Sequence, residues 1–418
     1  MSGHVHVIGA GLAGLSAALA LTAGRRAVTV YEAGPAAGGR CRSYFDRELG
    51  LTVDNGNHLL LSGNRAAMRY LDVFGGRSAM ARPEEPIFPF LDLTNDQRWA
   101  VRPNRGLLPW WVLSAARRVP GTRAMDYLAL RRILRIRGDA TVYNVLRQGP
   151  LYRSLIAPLT VATLNTQPEQ ALVQLLAAVL RETLMAGGNA CLPMFPRGGL
   201  SAALIDPAIR VASGRGAAFH FGRRIAALEI VGGRVVGLAG PDGAISLGPA
   251  DSVVLAVPPW VASDLLPGLV VPAVFEAIVN VHFRIEADPG PTGFIGLLGG
   301  TAEWVFIKEG YVSTTTSAAN RLAESDADRI VASVWPNVRA ALGLSGRVPP
   351  PWRVVKERRA TMAATASQER RRPAARTELA NLVLAGDWTA TGLPATIEGA
   401  IRSGETAAGL LAGQGGSG

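Results

Sequence analysis

A glycine pattern near the start of the chain constrains its fold more than any other feature. The spacing Gly-x-Gly-x-x-Gly follows a short apolar strand and precedes a helix of small residues, a second apolar strand and an acid. These parts are strand 4–8, Gly9, Gly11, Gly14, helix 15–23, strand 27–31 and Glu32. Such a unit of about 30 residues is typical of dinucleotide binding. A glycine-rich turn alone would fit many strand–helix junctions, but here all the other parts are in register.

Each part of this unit has its own physical role. Gly9 makes the tight turn, Gly11 lets a pyrophosphate approach the backbone, and Gly14 allows the helix to pack closely on the strand. The helix N-terminus offers free N–H groups and the positive end of its dipole to the phosphates. The Glu32 carboxylate can accept ribose hydroxyls and would repel a 2′-phosphate. The predicted backbone contacts with the dinucleotide also include Ala10, Leu12, Ala13 and Ala33.

The segment after Glu32 indicates which dinucleotide is bound. Its Gly38-Gly39-Arg40 resembles the extension found in the superfamily of flavin-dependent amine oxidases and phytoene desaturases. Two glycines again permit close backbone approach, and Arg40 can neutralise pyrophosphate charge. The alternative is an ordinary basic turn. The resemblance implies FAD.

The C-terminal part of the chain carries a second segment that resembles the same superfamily. A buried strand, 382–384, ends at Gly386-Asp387, and residues 393–400 open a final helix that reaches about Leu411. The resemblance implies that Asp387 holds the ribityl chain and that the helix N-terminus points at the flavin ring, where its dipole stabilises negative charge. The residues assigned to the cofactor here are Gly386, Asp387, Ala395, Thr396, Ile397 and Ala400.

The middle of the chain fits the same plan. Residues 219–236 suggest two short strands around a turn at 232–233, and an apolar segment, 251–259, follows. The resemblance implies that the backbone at Ile225 meets the adenine and that Val257 also contacts the cofactor. An ordinary hairpin followed by a buried strand is the alternative.

Length, composition and resemblance together predict an α/β chain. We expect a Rossmann-like FAD-binding domain of the glutathione reductase type with an inserted α+β substrate domain of the amine oxidase and desaturase type. With 418 residues and 48% hydrophobic content the chain can build two domains. The FAD-binding domain is predicted at 1–85, 196–260 and 376–418, and the substrate domain at 86–195 and 261–375. The substrate domain is expected to contain a helix at 170–185 and a strand at 278–287.

Cysteine content and hydropathy indicate the cellular compartment of the protein. Cys41 and Cys191 give neither a disulfide framework nor a metal site, which favours a reducing, cytoplasmic location. The first residues lack the charged region and cleavage site of a leader peptide, and no apolar run reaches the about 18 residues of a spanning helix.

A net charge of +11 suggests an anionic partner. No nucleic-acid-binding signature is visible, so we expect a membrane surface, with the protein peripheral on the inner face of the cell membrane. Residues 105–137 combine tryptophan, leucine and arginine in helical periods, as a membrane-surface element does. An amphipathic helix packed on the core with a solvated basic face is the alternative. The proposed contacts are Trp110, Trp111, Arg117, Arg118, Arg131, Arg132 and Arg135.

Three further segments point to one family within this superfamily. The string Val-Asp-Asn-Gly-Asn-His at 53–58 resembles the loop of hydroxysqualene dehydroxylases, flavoenzymes of bacterial hopanoid pathways. Residues 162–169 resemble that family's LNTPPE stretch, and 304–306 resemble its WVF strand. This chain departs from the family at Asn57, where glutamine is usual, and at Gln167, where proline is usual. Gly56, Asn57 and His58 are also assigned to cofactor contacts.

The family's reaction implies two chemical needs. Reduced flavin delivers hydride to an allylic carbon of hydroxysqualene, which yields squalene, oxidised flavin and water, and an external donor reduces the flavin again. An acid must assist the departure of the hydroxyl, because hydroxide is a poor leaving group. Asp54, His58 and Glu398 are the candidate catalytic residues, and His58 is preferred because histidine titrates near neutral pH. A structural histidine and a helix-capping carboxylate are the alternatives.

The strand at 279–285 bears on competing functions. Its alternation puts Asn280, His282 and Arg284 on one face, either toward the flavin or toward solvent. Amine oxidases carry a lysine at the position that matches Asn280, and we expect no lysine nearby, which argues against oxidase chemistry. The remaining alternatives are another isoprenoid flavoenzyme, such as a carotenoid desaturase, and a lipid carrier without flavin on the same fold.

Overall fold

The computed structural model describes residues 3–136, 138–146 and 148–413. The strands, in chain order, are β1 Val5–Ile8, β2 Val28–Glu32, β3 Ser43–Asp46, β4 Leu51–Asp54, β5 Leu60–Leu61, β6 Met80–Ala81, β7 Phe88–Asp92, β8 Gln97–Val101, β9 Pro193–Pro196, β10 Ala218–Phe221, β11 Ala227–Val231, β12 Arg234–Gly240, β13 Gly243–Ser246, β14 Ser252–Leu255, β15 Phe275–Phe283, β16 Phe294–Leu298, β17 Trp304–Lys308, β18 Tyr311–Thr316, β19 Trp352–Met362 and β20 Leu382–Leu384.

The α-helices are α1 Leu12–Ala23, α2 Arg65–Asp72, α3 Leu130–Arg135, α4 Val142–Leu146, α5 Gly149–Leu151, α6 Ala157–Leu164, α7 Val173–Glu182, α8 Asp206–Gly214, α9 Pro259–Leu265, α10 Asn320–Glu324, α11 Ala327–Leu342, α12 Ala366–Glu369 and α13 Ile397–Gly413. Short 3-10 helices occupy Gly76–Ala79, Trp110–Leu113, Ala124–Ala129, Leu184–Ala186 and Gly188–Ala190. Two π-helical turns lie at Tyr152–Ile156 and Ser201–Ile205.

A parallel sheet of five strands forms the first layer, in the order β10-β2-β1-β14-β20. Every residue of β1, β14 and β20 is buried, and all of them except His6 and Ser252 are apolar, as in a sheet that is covered on both faces. Because β1 and β20 share this sheet, the two ends of the chain fold together as expected. Helix α13 packs on α1 so closely that a side chain at Gly404 would meet the backbone oxygen of Ala13 at 2.2 Å. The predicted α/β fold is confirmed.

A mixed sheet of seven strands forms the second layer, in the order β19-β15-β18-β17-β16-β7-β8. Its strands come from both predicted inserts, and the parallel pair β7–β16 joins them. One face packs against α11 through a buried apolar cluster. The division into two domains stays a prediction that these two sheets support.

Local boundaries differ from expectation in several places. The helix expected at 170–185 is α7, shortened to Val173–Glu182, and the strand expected at 278–287 is β15, which ends at Phe283. The expected single hairpin at 219–236 is wrong, because Phe219 belongs to β10 of the parallel sheet and only β11 and β12 flank the 232–233 turn. Among the described residues, no helix has the length and apolar character needed to cross a membrane.

Candidate functional site

The predicted cofactor residues meet at the carboxyl edge of the parallel sheet. Gly9 follows β1, Glu32 ends β2, Val257 lies just beyond β14, and Gly386 lies just beyond β20. Open α/β sheets bind ligands at this edge, where the strand order reverses. The structure therefore brings together segments that are up to 377 residues apart in the chain, from Gly9 to Gly386.

The glycine turn has the geometry that a pyrophosphate site needs. Gly9 has a φ of +102°, and a side chain there would lie 2.5 Å from the Ala256 oxygen. A side chain at Gly14 would lie 2.0 Å from the Gly9 oxygen, whereas one at Gly11 would meet no atom within 4 Å. Gly11 is the N-cap of α1, and no side chain caps that helix. The open space therefore lies beside uncapped N–H groups, which suits an anion.

Glu32 and Gly38 form hydrogen bonds with the backbone of this turn. One Glu32 carboxylate oxygen accepts from the Ala10 N–H at 2.9 Å, and the other accepts from the Gly34 N–H at 2.7 Å. Gly38 donates to the Ala10 oxygen at 2.9 Å and pairs with Gly11 in an isolated bridge. A carboxylate offers about four lone-pair positions, so Glu32 can accept further hydrogen bonds from a ribose.

An ion pair joins the N-terminal and C-terminal motifs. The Arg40 guanidinium contacts both carboxylate oxygens of Asp387 at 2.7 Å and donates to the Ala360 oxygen at 2.5 Å. The Arg40 side chain is 41% exposed while that of Asp387 is 9% exposed. A solvent-accessible guanidinium beside the glycine turn fits a diphosphate.

The remaining predicted cofactor positions line the same edge. Ile225 and Val257 share an apolar cluster with Ile8 and Tyr31 at the ends of β1 and β2. The Val257 oxygen accepts from the Trp388 indole at 2.9 Å. At the start of α13, the Thr396 hydroxyl accepts from the Gly399 N–H at 3.1 Å. Ala33, Gly39, Ala395 and Ala400 are at least partly exposed, whereas Ile397 is buried. These positions fit a dinucleotide lying along the sheet edge.

Asp54 lies beneath the site in a buried ion pair. Its carboxylate contacts the Lys308 ammonium and accepts from the Ser43 hydroxyl at 2.6 Å and the Leu200 N–H at 2.8 Å. Burial acts to raise the pKa of Asp54, but the Lys308 charge and these hydrogen bonds outweigh it and hold that pKa below its usual value. An ionised, fully paired carboxylate has no proton to give, so the structure argues against Asp54 as the acid.

Lys308, the lysine paired with Asp54, belongs to β17, which β18 separates from the strand of Asn280. Asn280 donates to the Asn55 oxygen at 3.4 Å, in the residue that follows Asp54. Asn280 and His282 are 1% and 0% exposed. The alternative of a solvent-facing polar strand is therefore wrong for both residues, and it holds only for Arg284, which is exposed.

Asn57 connects the loop to a polar face of the seven-stranded sheet. Its amide donates to the Ser313 hydroxyl at 2.7 Å and the Thr315 hydroxyl at 3.0 Å, while its own Oδ1 is buried without a partner among the described residues. Thr315 donates to Asn280 at 2.9 Å, and Ser313 bonds the His282 ring at 2.8 Å. This face offers a hydroxyl-bearing ligand both donors and an unused acceptor.

His58 is partly exposed, and no protein group in the described ranges hydrogen-bonds its ring. Burial, opposed by the Asp54 carboxylate and assisted by the Lys308 and Arg40 cations, lowers the pKa of His58 to about 4. The imidazole is therefore neutral at pH 7, contrary to the expectation that it titrates near neutrality.

The hydrogen bonds of Glu398 argue against its assignment as a candidate acid. Its oxygens accept from the Ala66 and Ala67 N–H groups at 3.0 and 2.8 Å, which caps the N-terminus of α2. Arg402 donates to the same carboxylate at 2.7 Å and to Glu182. The sequence suggested a cap as an alternative, and the capped helix proves to be α2 rather than α13.

Changing Glu398 to Gln should therefore affect stability more than turnover. We expect a loss of about 1–3 kcal/mol, because one N–H acceptor and the charge facing Arg402 disappear from a buried site. Denaturant unfolding measures the loss, and steady-state kinetics at saturating cofactor should stay within about threefold of wild type, less than the factor that a general acid contributes. A drop in turnover of 100-fold or more with unchanged stability would restore the catalytic role.

The whole chain resembles known flavoenzymes. The profile of the family described as flavin containing amine oxidoreductase matches residues 12–412. A hydroxysqualene dehydroxylase of Rhodopseudomonas palustris is 46% identical over 413 residues, covering 98% of this chain and 99% of that protein. The chain belongs to the hydroxysqualene dehydroxylase family. A second family member, from Sinorhizobium fredii, is 46% identical and covers 98% of both chains. Family membership indicates a flavin cofactor.

Solved structures support the fold of this family member. Cyclohexylamine oxidase from Brevibacterium oxydans superposes with a TM-score of 0.69 over 99% of both chains, at 16% identity. The sequence did not predict the contacts between distant segments, such as the Asp54–Lys308 ion pair. One signal could have drawn attention to Lys308, since it is one of two lysines in the chain and lies on an apolar strand.

Proposed function

We propose that this protein is an FAD-dependent oxidoreductase that reductively removes the hydroxyl of hydroxysqualene to give squalene. The similarity to relatives named for this activity, at 46% identity over 98% of the chain, carries the proposal. The glycine turn at the sheet edge, with Glu32 and Arg40 beside it, supports FAD as the flavin. When bound, FAD supplies the hydride for an allylic carbon, and a proton leaves with the hydroxyl oxygen as water.

The proposed cofactor contacts follow the geometry of the edge. Gly9, Gly11 and Gly14 form the turn around the pyrophosphate, and Arg40 balances its charge. Glu32 accepts the ribose hydroxyls of the adenosine half, and Asp387 accepts those of the ribityl chain. The other proposed contacts are Ala10, Leu12, Ala13, Ala33, Gly38, Gly39, Gly56, Asn57, His58, Ile225, Val257, Gly386, Ala395, Thr396, Ile397 and Ala400.

The chain's own part in the chemistry is to hold the substrate oxygen and provide its proton. The face made by Asn57, Thr315 and Asn280 offers hydrogen bonds to a hydroxyl, and the Asp54–Lys308 pair fixes the loop that carries Asn57. Of the three acids considered, Asp54 and Glu398 are fully engaged, so we propose that the protonated fraction of His58 donates the proton. An external reductant returns the flavin to its reduced form.

The pH dependence of the reaction tests His58. Because burial lowers its pKa to about 4, the protonated fraction rises about tenfold for each unit that the pH falls between 7 and 5. Reoxidation of reduced flavin by hydroxysqualene should accelerate accordingly. Changing His58 to Gln should flatten the profile and slow this step by about 10²–10⁴-fold while flavin reduction stays normal. A flat wild-type profile would assign the proton to water or to another group.

A membrane surface is the proposed source of the substrate, which is a hydrocarbon of poor solubility. Exposed apolar residues cluster around Trp110, which is 63% exposed, and they include Leu107, Leu108 and Leu113. The arginines 131, 132 and 135 on α3 are exposed, and 117 and 118 are half-buried. Trp111 is excluded from this surface, because it is 4% exposed and packs edge-on against Tyr127 at 5.1 Å. The proposed location is the inner face of the cell membrane.

The two tryptophans should therefore respond differently to replacement by alanine. Trp110→Ala should weaken binding to anionic vesicles without changing thermal stability, because its ring contacts lipid and not the core. Trp111→Ala should destabilise the fold by about 3–5 kcal/mol. Binding should also fall with added salt, since each basic residue near the surface contributes about 1 kcal/mol. Vesicle co-sedimentation indifferent to Trp110 and to salt would contradict the docking surface.

Product analysis separates this function from its alternatives. With hydroxysqualene and a flavin reductant, the protein should form squalene. Oxidation of a polyene or an amine with no squalene would instead indicate a desaturase or an oxidase, and a purified protein without flavin absorbance would indicate a carrier.

A further inference from the structure

A cavity of about 320 Å³ opens in the helical part of the first insert, away from the sheet edge. It lies between the 3-10 helix Ala124–Ala129 and the helical segment that starts at Gly149. Its lining includes Met125, Leu128, Arg132, Leu146, Tyr152 and Ile156. Ligand pockets span about 300–1,000 Å³, so this space holds part of a long chain rather than all of it.

The rim of the cavity is apolar and exposed. Met125 is 76% exposed and Leu128 is 51% exposed, an unusual state for side chains of this size beside a pocket. Arg132 reaches the rim beside the exposed arginines of α3, whereas the Asp126 carboxylate is taken up by the Arg123 N–H at 2.7 Å. The mouth therefore combines apolar side chains with the arginines of α3, which outnumber the one carboxylate at the rim, Asp126, and complement an anionic bilayer surface.

The inner wall of the cavity is a π-helical turn. Tyr152–Ile156 interrupts the helix between α5 and α6, and both Tyr152 and Ile156 line the space. A π-turn widens the helix locally and is frequent at functional sites.

An apolar core leads inward from this wall to the loop beside the flavin site. Ile156 and Leu146 belong to one buried cluster with Phe90, whose ring lies 5.7 Å from that of Trp304. Trp304 lies 6.1 Å from Phe294, and Phe294 packs in a cluster with Leu59. Leu59 directly follows His58.

We propose that this cavity is the port through which an isoprenoid alcohol passes from the bilayer toward the flavin, with one end of the chain resting in it. The proposal rests on the proposed function, since that function supplies an isoprenoid substrate. A largely apolar lining, arginines beside the rim and a series of buried apolar contacts that ends beside His58 match a long hydrocarbon with a single hydroxyl.

Two variants test the port by filling it. Ile156→Trp fills the inner wall, and Leu128→Trp fills the rim at a half-exposed position where folding should be unaffected. Val231→Trp, at a 60% exposed position in β11, is the matched control. With hydroxysqualene delivered in vesicles, both port variants should lose at least about tenfold in kcat/KM, as expected for a mis-sized apolar pocket, while the control stays normal. Flavin content and reduction by dithionite should be unchanged in all three.

A photoreactive diazirine analogue of farnesol gives a readout independent of turnover. In the wild-type holoenzyme it should label peptides that contain Met125, Leu128 or Ile156, and added squalene should suppress the labelling. Normal kinetics in Leu128→Trp, or labelling confined to other peptides, would overturn the port. Port labelling without any squalene formation by the wild type would instead refute the proposed reaction and leave the apolar binding site standing.

Discussion

Replacing Lys308 with methionine should destabilise the protein by about 3–5 kcal/mol, because it leaves the Asp54 carboxylate buried without a counter-charge. The Lys308 and Asp54 side chains are 4% and 0% exposed, so water cannot compensate for the lost partner. Denaturant unfolding at pH 7 measures the effect. Lys356→Met is the matched control. Lys356 lies on the half-buried strand β19, and its ammonium donates to the Ser325 backbone oxygen, so its replacement should lower the free energy of unfolding by about 1 kcal/mol or less.

The difference in stability between the wild type and Lys308→Met should change with pH in a definite direction. In the wild type the pKa of Asp54 lies below its unfolded value of about 3.9, so the ion pair stabilises the fold above that pH and is lost as the pH falls through the lowered pKa. In the Lys308→Met variant the ammonium no longer opposes burial and only the Ser43 and Leu200 hydrogen bonds do, so the pKa of Asp54 rises and the variant loses stability as the pH rises through it. The stability difference should therefore shrink between pH 7 and pH 4. A difference that is small and independent of pH would contradict a buried ion pair.

Changing Gly11 to Ala should lower FAD affinity by at least about 100-fold, or about 2.7 kcal/mol, with little effect on the apoprotein. A methyl group there meets no protein atom within 4 Å, yet it occupies the space proposed for the pyrophosphate. Changing Gly14 to Ala should instead destabilise the apoprotein, because the added methyl group would lie 2.0 Å from the Gly9 oxygen. That variant should unfold more easily by about 1–3 kcal/mol or more.

Flavin titration and thermal unfolding of the apoprotein separate these two effects. Gly346→Ala is the control, since a side chain at that position also meets nothing within 4 Å and lies outside the site. Normal flavin binding by Gly11→Ala would move the pyrophosphate away from the glycine turn.

The parallel sheet and its glycine turn could be predicted because their signal is local. The strands β1, β14 and β20 are short, mainly apolar and buried, and Gly9, Gly11, Gly14 and Glu32 lie within one supersecondary unit. The C-terminal strand at 382–384 could be predicted from its apolar residues, whereas the place of Gly386-Asp387 at the cofactor came from the family resemblance.

The side-chain partners at the site could not be predicted, since they depend on contacts between distant segments. Nothing local to Asp54 indicates that residue 308 supplies its counter-charge, 254 positions later. Glu398 begins a helix, so its sequence suggests a cap of that helix, but tertiary packing places α2 against it. A low pKa for His58 follows from the same long-range packing.

The segment 105–137 shows how composition can mislead about orientation. Tryptophan and arginine suggested lipid-facing helices, but the described part of the segment forms two 3-10 helices and the short α3. Trp110 and Trp111 share the first 3-10 helix, in which adjacent side chains point about 120° apart, so one is exposed and the other is buried. Position 137 lies outside the described residues.

A single-turnover measurement tests the proposed reaction most directly. The holoenzyme is reduced without oxygen, freed of excess reductant and mixed with hydroxysqualene in detergent micelles. We predict that oxidised flavin absorbance returns with one squalene formed for each flavin oxidised, and that squalene does not form from the oxidised enzyme. Flavin that stays reduced in the presence of hydroxysqualene, or that is reoxidised without squalene, would contradict the account.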